Sequence, residues 1–155
     1  MRNIFHKTPS LQRDNAVDLE RYMGLWYEIA SYPQWFEKGL TCVTALYTLK
    51  EDYVEVLNSG YKNGKLRQAH GRALVVKGTQ GSRLKVSFFR PFYGQYWIVD
   101  LAQDYSWSVV SNQRGSTLWI LSRFDTMDQR LYNFILSRCQ LSGLDISKLV
   151  KMEHC

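Results

Sequence analysis

Three cysteines and three histidines hold most of the reactive potential of this 155-residue chain, and their spacing limits what they do. Cys42, Cys139 and Cys155 lie far apart with no Cys-x-x-Cys. His6, His70 and His154 show none of the short intervals that put two ligands on one metal. The pattern therefore calls for no metal and no cofactor. A nucleophile needs an adjacent base, and the base needs a group to orient it. No Ser-His-Asp, Cys-His or paired-carboxylate arrangement presents itself, and no catalytic residue is assigned. His70 would serve as a base or a haem ligand only if it faced a cavity; a lone strand histidine is more often at the surface or hydrogen-bonded. Glu28 is the other group of interest. Turned inward it needs a partner or a raised pKa, and a bulge would turn it out.

A chain of 155 residues makes about one domain, which buries roughly two thirds of its unfolded surface. The net charge of +6 and the pI near 9.3 favour an anionic partner, whether nucleic acid, a phospholipid surface or an acidic small molecule. No apolar run is long enough for a transmembrane helix. The N-terminal "MRNIFHKTPSLQR" has only Ile4 and Phe5 where an export signal needs a continuous apolar stretch, so no export signal is expected in the sequence as it stands. Residues 1–17 read as a flexible arm and 18–155 as a single domain.

Between Gly24 and Arg123, short alternating segments are separated by turn residues. Eight strands are predicted: "GLWYEIASY" from Gly24, "TCVTALYTL" from Thr41, "YVEVLNSGY" from Tyr53, "KLRQAHGRALVV" from Lys65, "RLKVSFF" from Arg83, "YGQYWIVDL" from Tyr93, "SWSVVS" from Ser106 and "STLWILSR" from Ser116. Asn63-Gly64 is a strong hairpin signal. The period then changes, and Leu131, Ile135 and Cys139 mark one face of a helix over about 127–142, with Thr126 and Gln129 as a capping box and Gly143 as the stop. "KLVKM" from Lys148 suggests a further edge strand within a C-terminal strand and tail over 146–155. The fold class is all-β: an eight-stranded antiparallel up-and-down barrel over about 24–123 with one C-terminal helix packed outside. Such a barrel is either filled by its own side chains or holds one small ligand.

With the first strand running from floor to rim, Gly24-x-Trp26, Asp104-Tyr105 and Arg123 all fall at the floor. In order and spacing they resemble the three signature motifs of the lipocalin family, with Gln103 departing from the usual leading residue of the second. "WYEIASY", "LKVSFFRPFYGQYW", "LWILSR" and "LDISKL" resemble the bacterial and apolipoprotein D-like members most, over the chain from Asp18 onward. His70 stands where those relatives commonly have an acidic residue. The resemblance implies a carrier of a hydrophobic small molecule, a fatty acid or lysophospholipid foremost. A rigid ligand (steroid, haem or pigment) and a lipocalin-type enzyme acting on a bound lipid are the alternatives. It also implies a Cys42–Cys155 disulfide tying the tail to the barrel and an extracytoplasmic location, periplasmic, outer-membrane associated or secreted. Cys42 lies too early in its strand to match the cavity thiol of a lipocalin isomerase.

Strand alternation, helped by the resemblance, places Val43, Ala45, Tyr47, Val56, Asn58, Val86, Phe88, Tyr96, Ile98, Ser111, Trp119 and Leu121 inward, and Glu28 and Ala30 with them if no bulge intervenes. Tyr47, Asn58 and Tyr96 are the polar candidates. The rim loops contribute Trp35, Phe36, Lys38, Lys62, Lys65, Arg90, Phe92, Tyr93 and Arg114, with Glu37 the only rim-loop acid. Aromatic and basic residues so mixed suit an anionic headgroup, of a bound lipid or of an anionic membrane surface; otherwise they pack within long loops. Nucleic acid is not expected, for there is no RNP-like motif, recognition helix or dense basic stripe. The oligomeric state stays open between monomer and weak homodimer.

Overall fold

The computed structural model describes residues 16–89 and 91–155. The expected N-terminal arm, except Ala16 and Val17, lies outside the described residues, as does Arg90. A single helical turn, α1 (Leu19–Tyr22), precedes the barrel; the Asp18 side chain caps it by accepting from the Glu20 and Arg21 N–H groups. The strands are β1 (Gly24–Ser31), β2 (Thr41–Leu49), β3 (Val54–Lys62), β4 (Lys65–Val75), β5 (Arg83–Phe89), β6 (Phe92–Leu101), β7 (Trp107–Ser111) and β8 (Leu118–Ser122). Each pairs antiparallel with the next, and β1 pairs with both β2 and β8, so the sheet closes. Asn63 and Gly64 both take positive φ, as a tight β3–β4 hairpin requires.

β1 decides which residues face inward. Trp26 lies opposite Ala45, and Glu28 opposite Leu121, both on the interior face. A bulge between Glu28 and Ala30 then resets the alternation: Ala30, opposite Ile120, turns outward, and Ser31, opposite Trp119, turns in. The expectation that Ala30 shares the inward face with Glu28 is thereby corrected.

β1 and β2 pair only from Gly24 to Tyr27, and above that point the C-terminal tail fills the seam. β9 (Val150–Lys151) pairs with Ser31 and Ala30, the Met152 N–H donates to Ile29 O, and the Cys42 N–H donates to Glu153 O. The Cys42–Cys155 disulfide, with Cα atoms 5.6 Å apart, fastens the end of the tail to β2.

The helix, α2 (Gln129–Leu141), is capped by Asp128 accepting from the Arg130 N–H, not by Thr126. Gly143, at φ +90°, follows its end. Tyr132, Ile135 and Cys139 pack on Ala30, Trp107, Val109, Leu118 and Ile120 on the outer wall. Arg138 holds Asp100 of β6 with Nε–Oδ2 and Nη2–Oδ1 contacts of 2.6 and 3.1 Å, locking the helix to the barrel.

Candidate ligand-binding site

At the floor, Trp26 is fully buried and the Arg123 guanidinium lies 3.8 Å over its ring. Arg123 also donates to the carbonyls of Tyr105, Leu25 and Arg21 at 3.2, 3.0 and 2.8 Å, so one side chain ties four segments together. Gly24 sits at φ +99°, and a Cβ there would meet Arg123 Nη1 at 3.4 Å. Those two facts explain the Gly-x-Trp spacing: the glycine makes the backbone turn and leaves room for the guanidinium that covers the tryptophan. Asp104 accepts from the Ser106 N–H, Tyr105 accepts from the Asp18 N–H through its hydroxyl, and Arg21 stacks 4.0 Å over the Tyr105 ring.

Above this plug, Ala45, Tyr47, Val56, Val86, Phe88, Tyr96, Ile98, Trp119 and Leu121 pack with Trp26 in one interior cluster. Asn58 faces Ala45 across the strands, and buried Val43 lies two residues before Ala45 on β2. Ser111 departs from its expected place. β7 turns Ser108 and Val110 inward, opposite Leu121 and Trp119, whereas Ser111 pairs with Leu118 on the helix side and donates to Thr117 O at 2.6 Å. The inward residues Tyr22, Val54, Ala73, Leu84, Ser108 and Val110 were not anticipated; for Tyr22, the Asp18 cap ahead of "LERY" was the available signal.

Tyr47 and Tyr96 are polar, but their hydroxyls are engaged. Ser108, Tyr22, Tyr96 and Tyr47 form a chain of hydroxyl contacts at 2.8, 2.9 and 2.8 Å in the lower interior. Burial raises the pKa of all three tyrosines, that of Tyr22 to about 12. Asn58 differs: its amide has no hydrogen-bond partner among the described residues.

Higher in the barrel is an acid pair that sequence spacing did not reveal. Glu28, only 3% exposed, accepts from Ser31 Oγ at 3.0 Å and has Glu37 of the β1–β2 loop as its neighbour. Burial, then the neighbouring Glu37, pushes Glu28 up to about 9; burial also raises Glu37. Glu28 therefore holds its proton at neutral pH. Glu37 is consequently no ordinary rim acid. His70 faces outward on β4, opposite Leu57, and Cys139 is buried with its thiol pushed up to about 12, chiefly by burial.

Around the mouth, Trp35 is 88% exposed and meets Phe36 edge to face in a 3-10 turn, Trp35–Glu37. Phe92 is exposed beside Phe89, which is 78% exposed and was not anticipated. Lys38, Lys65 and Arg114 are exposed and Lys62 is half-buried. Tyr93 turns to the outer wall, beside Lys85.

Antiparallel barrels that close on themselves and keep one end plugged form a class whose interior is either filled by side chains or encloses a single small ligand. Comparison with known proteins is specific within that class. Residues 17–154 match the model of the Lipocalin-like domain, and the chain belongs to the lipocalin family. The outer membrane lipoprotein Blc of Escherichia coli K12 is 39% identical over 143 residues, covering 90% of this chain and 81% of that protein. Apolipoprotein D of Cavia porcellus is 32% identical over 156 residues, covering 94% and 81%. The insecticyanin structure from Manduca sexta superposes with a TM-score of 0.76 over 91% of this chain and 82% of its own, at 18% identity, which speaks for the fold alone.

Proposed function

We propose that this lipocalin binds and carries a fatty acid or lysophospholipid, its chain held inside the barrel and its polar end at the mouth. The carrying observation is the continuous inward face from the Trp26 plug through Val56, Val86 and Trp119, with the unpaired Asn58 amide along it. Each methylene taken from water contributes about 0.8 kcal/mol, so an acyl chain supplies most of the affinity. Lysines and aromatics at the mouth favour an anionic head and suit collection of the ligand from an anionic membrane surface. The activity proposed is carriage, not catalysis: the free thiol is buried and His70 lies on the outer face. A place outside the cytoplasm accords with the Cys42–Cys155 disulfide and with a relative named as an outer membrane lipoprotein.

Native mass spectrometry of freshly purified protein, followed by lipid extraction, tests this directly. A fatty acid or lysophospholipid at near one-to-one stoichiometry is expected. A protein that arrives empty and takes up no added lipid has a filled barrel, and the proposal fails. In titrations with a fatty acid, Trp119→Ala weakens binding far more than Lys62→Ala; equal, negligible effects refute the interior assignment.

A further inference from the structure

A hollow of about 330 Å³ opens in the outer wall where β4 and β5 part. β4 begins at Lys65, yet its pairing with β5 runs only from Arg72 opposite Ser87 to Val75 opposite Leu84. β5 is bulged against β6 between Val86 and Phe89, where its pairing with β4 stops, and Phe88 packs so closely on Gly71 that a Cβ there would lie 2.7 Å from its ring.

Of the polar groups in this hollow the Ser87 hydroxyl is buried without a partner, while Arg72 and His70 are exposed and make no hydrogen bond to the described residues. Ser87 is 8% exposed and its Oγ has no hydrogen-bond partner, an arrangement that costs on the order of 1–3 kcal/mol unless something accepts from it. Arg72 lies beside it on the same face, its guanidinium 4.0 Å over the Tyr53 ring and without a carboxylate partner among the described residues. Glu55, across from Arg72, pairs instead with Lys50 at 3.9 Å. His70 lies two residues along β4 on the same outer face, with no hydrogen bond among the described residues. Lys85, next to Tyr93, adds positive charge at the far edge.

We propose that this hollow is a second binding site, separate from the barrel interior, for the phosphate group of a phosphomonoester. Arg72 and His70 donate to two phosphate oxygens, and Ser87 Oγ donates to a third. Glu55 at the opposite wall accepts from a hydroxyl next to the phosphate. Tyr53 and Tyr93 also line the site. The phosphate itself is offered both by a soluble phosphomonoester and by a phosphatidic-acid headgroup, and the hydroxyl for Glu55 by the soluble ester alone.

The test follows the His70 imidazole resonances by NMR, assigned with His70→Gln, while sodium phosphate, glycerol 3-phosphate or dihexanoyl phosphatidic acid below its micelle concentration is added at constant ionic strength. Saturable shifts with phosphate and glycerol 3-phosphate, absent with chloride, are expected. Arg72→Gln is expected to weaken the response about tenfold. Ser87→Ala is expected to weaken it while leaving the melting temperature of the free protein unchanged or higher, because it removes an unpaired buried hydroxyl. Response to the soluble phosphates assigns a soluble ligand, and response to the lipid alone, still lost in Arg72→Gln, assigns a headgroup. Shifts that never saturate, or that persist undiminished in Arg72→Gln, overturn the site.

Discussion

Glu28 and Glu37 are neighbours, Ser31 donates to Glu28, and no lysine or arginine forms an ion pair with either carboxyl among the described residues. Two carboxyls without a countercharge are tolerated because Glu28 keeps its proton. Glu28 ordinarily titrates near 4.5 when unfolded and is held at about 9 when folded, so its folded state prefers the protonated form. Its stabilising contribution is therefore fully present below pH 4.5 and is lost as the pH rises through about 9. Urea denaturation across this window is expected to show the wild type losing a few kcal/mol relative to Glu28→Gln, whose amide never ionises. Parallel pH profiles for the two proteins would dissolve the acid pair as an energetic feature. Arg123 is the complementary case, a cation that stacks on Trp26 and reaches three carbonyls. Arg123→Ala is expected to cost about 2–3 kcal/mol, and Arg123→Lys to recover only part of it, since an ammonium lacks the planar fork that serves ring and carbonyls together.

Among the elements, the tail has the largest leverage, because it occupies the seam that β1 and β2 leave open. Its disulfide spans a sequence separation of 113 residues, and a loop of that length stabilises by about 4–5 kcal/mol through the entropy it removes from the unfolded chain. Reduction, or replacing Cys42 and Cys155 by serine, is expected to lower the denaturation midpoint accordingly and to speed hydrogen exchange at Met152 and Cys42, whose N–H groups bond across the seam. An unchanged midpoint would mean that the strand pairing of the tail suffices. The eight strands were legible because each alternates and ends in turn residues, and their bounds fall within a residue or two of the sequence reading. Facing was less legible. The bulges after Glu28 in β1 and after Ile98 in β6 lie in ordinary-looking runs, yet each flips every later side chain, which is how Ala30 came to face outward. Ser111 shows a related limit, for its facing follows from pairing with Leu118, a register that no local pattern reveals. Glu37 reaches Glu28 only because the intervening loop folds back, a tertiary fact with no period to betray it.

At the scale of the whole molecule, exposed aromatics and cations meet around the mouth of the barrel. Trp35, Phe36, Phe89 and Phe92 are all exposed at the mouth, an arrangement costly in water and favourable at a bilayer interface. Lys38, Lys62, Lys65 and Arg114 are part of the chain's excess of 20 basic over 14 acidic residues, each such cation contributing about 1 kcal/mol near an anionic surface. Aromatic insertion and charge attraction differ in their response to salt, because only the latter is screened. Co-sedimentation with mixed phosphatidylcholine and phosphatidylglycerol vesicles is thus expected to weaken as salt rises, with Lys62→Ala/Lys65→Ala flattening that dependence. Trp35→Ser/Phe36→Ser is expected to lower binding at every salt concentration while leaving the slope in place. A wild type that ignores vesicle charge, or a Trp35→Ser/Phe36→Ser variant that binds as well as the wild type, would show that ligand reaches the barrel from solution and that these aromatics serve the loop alone.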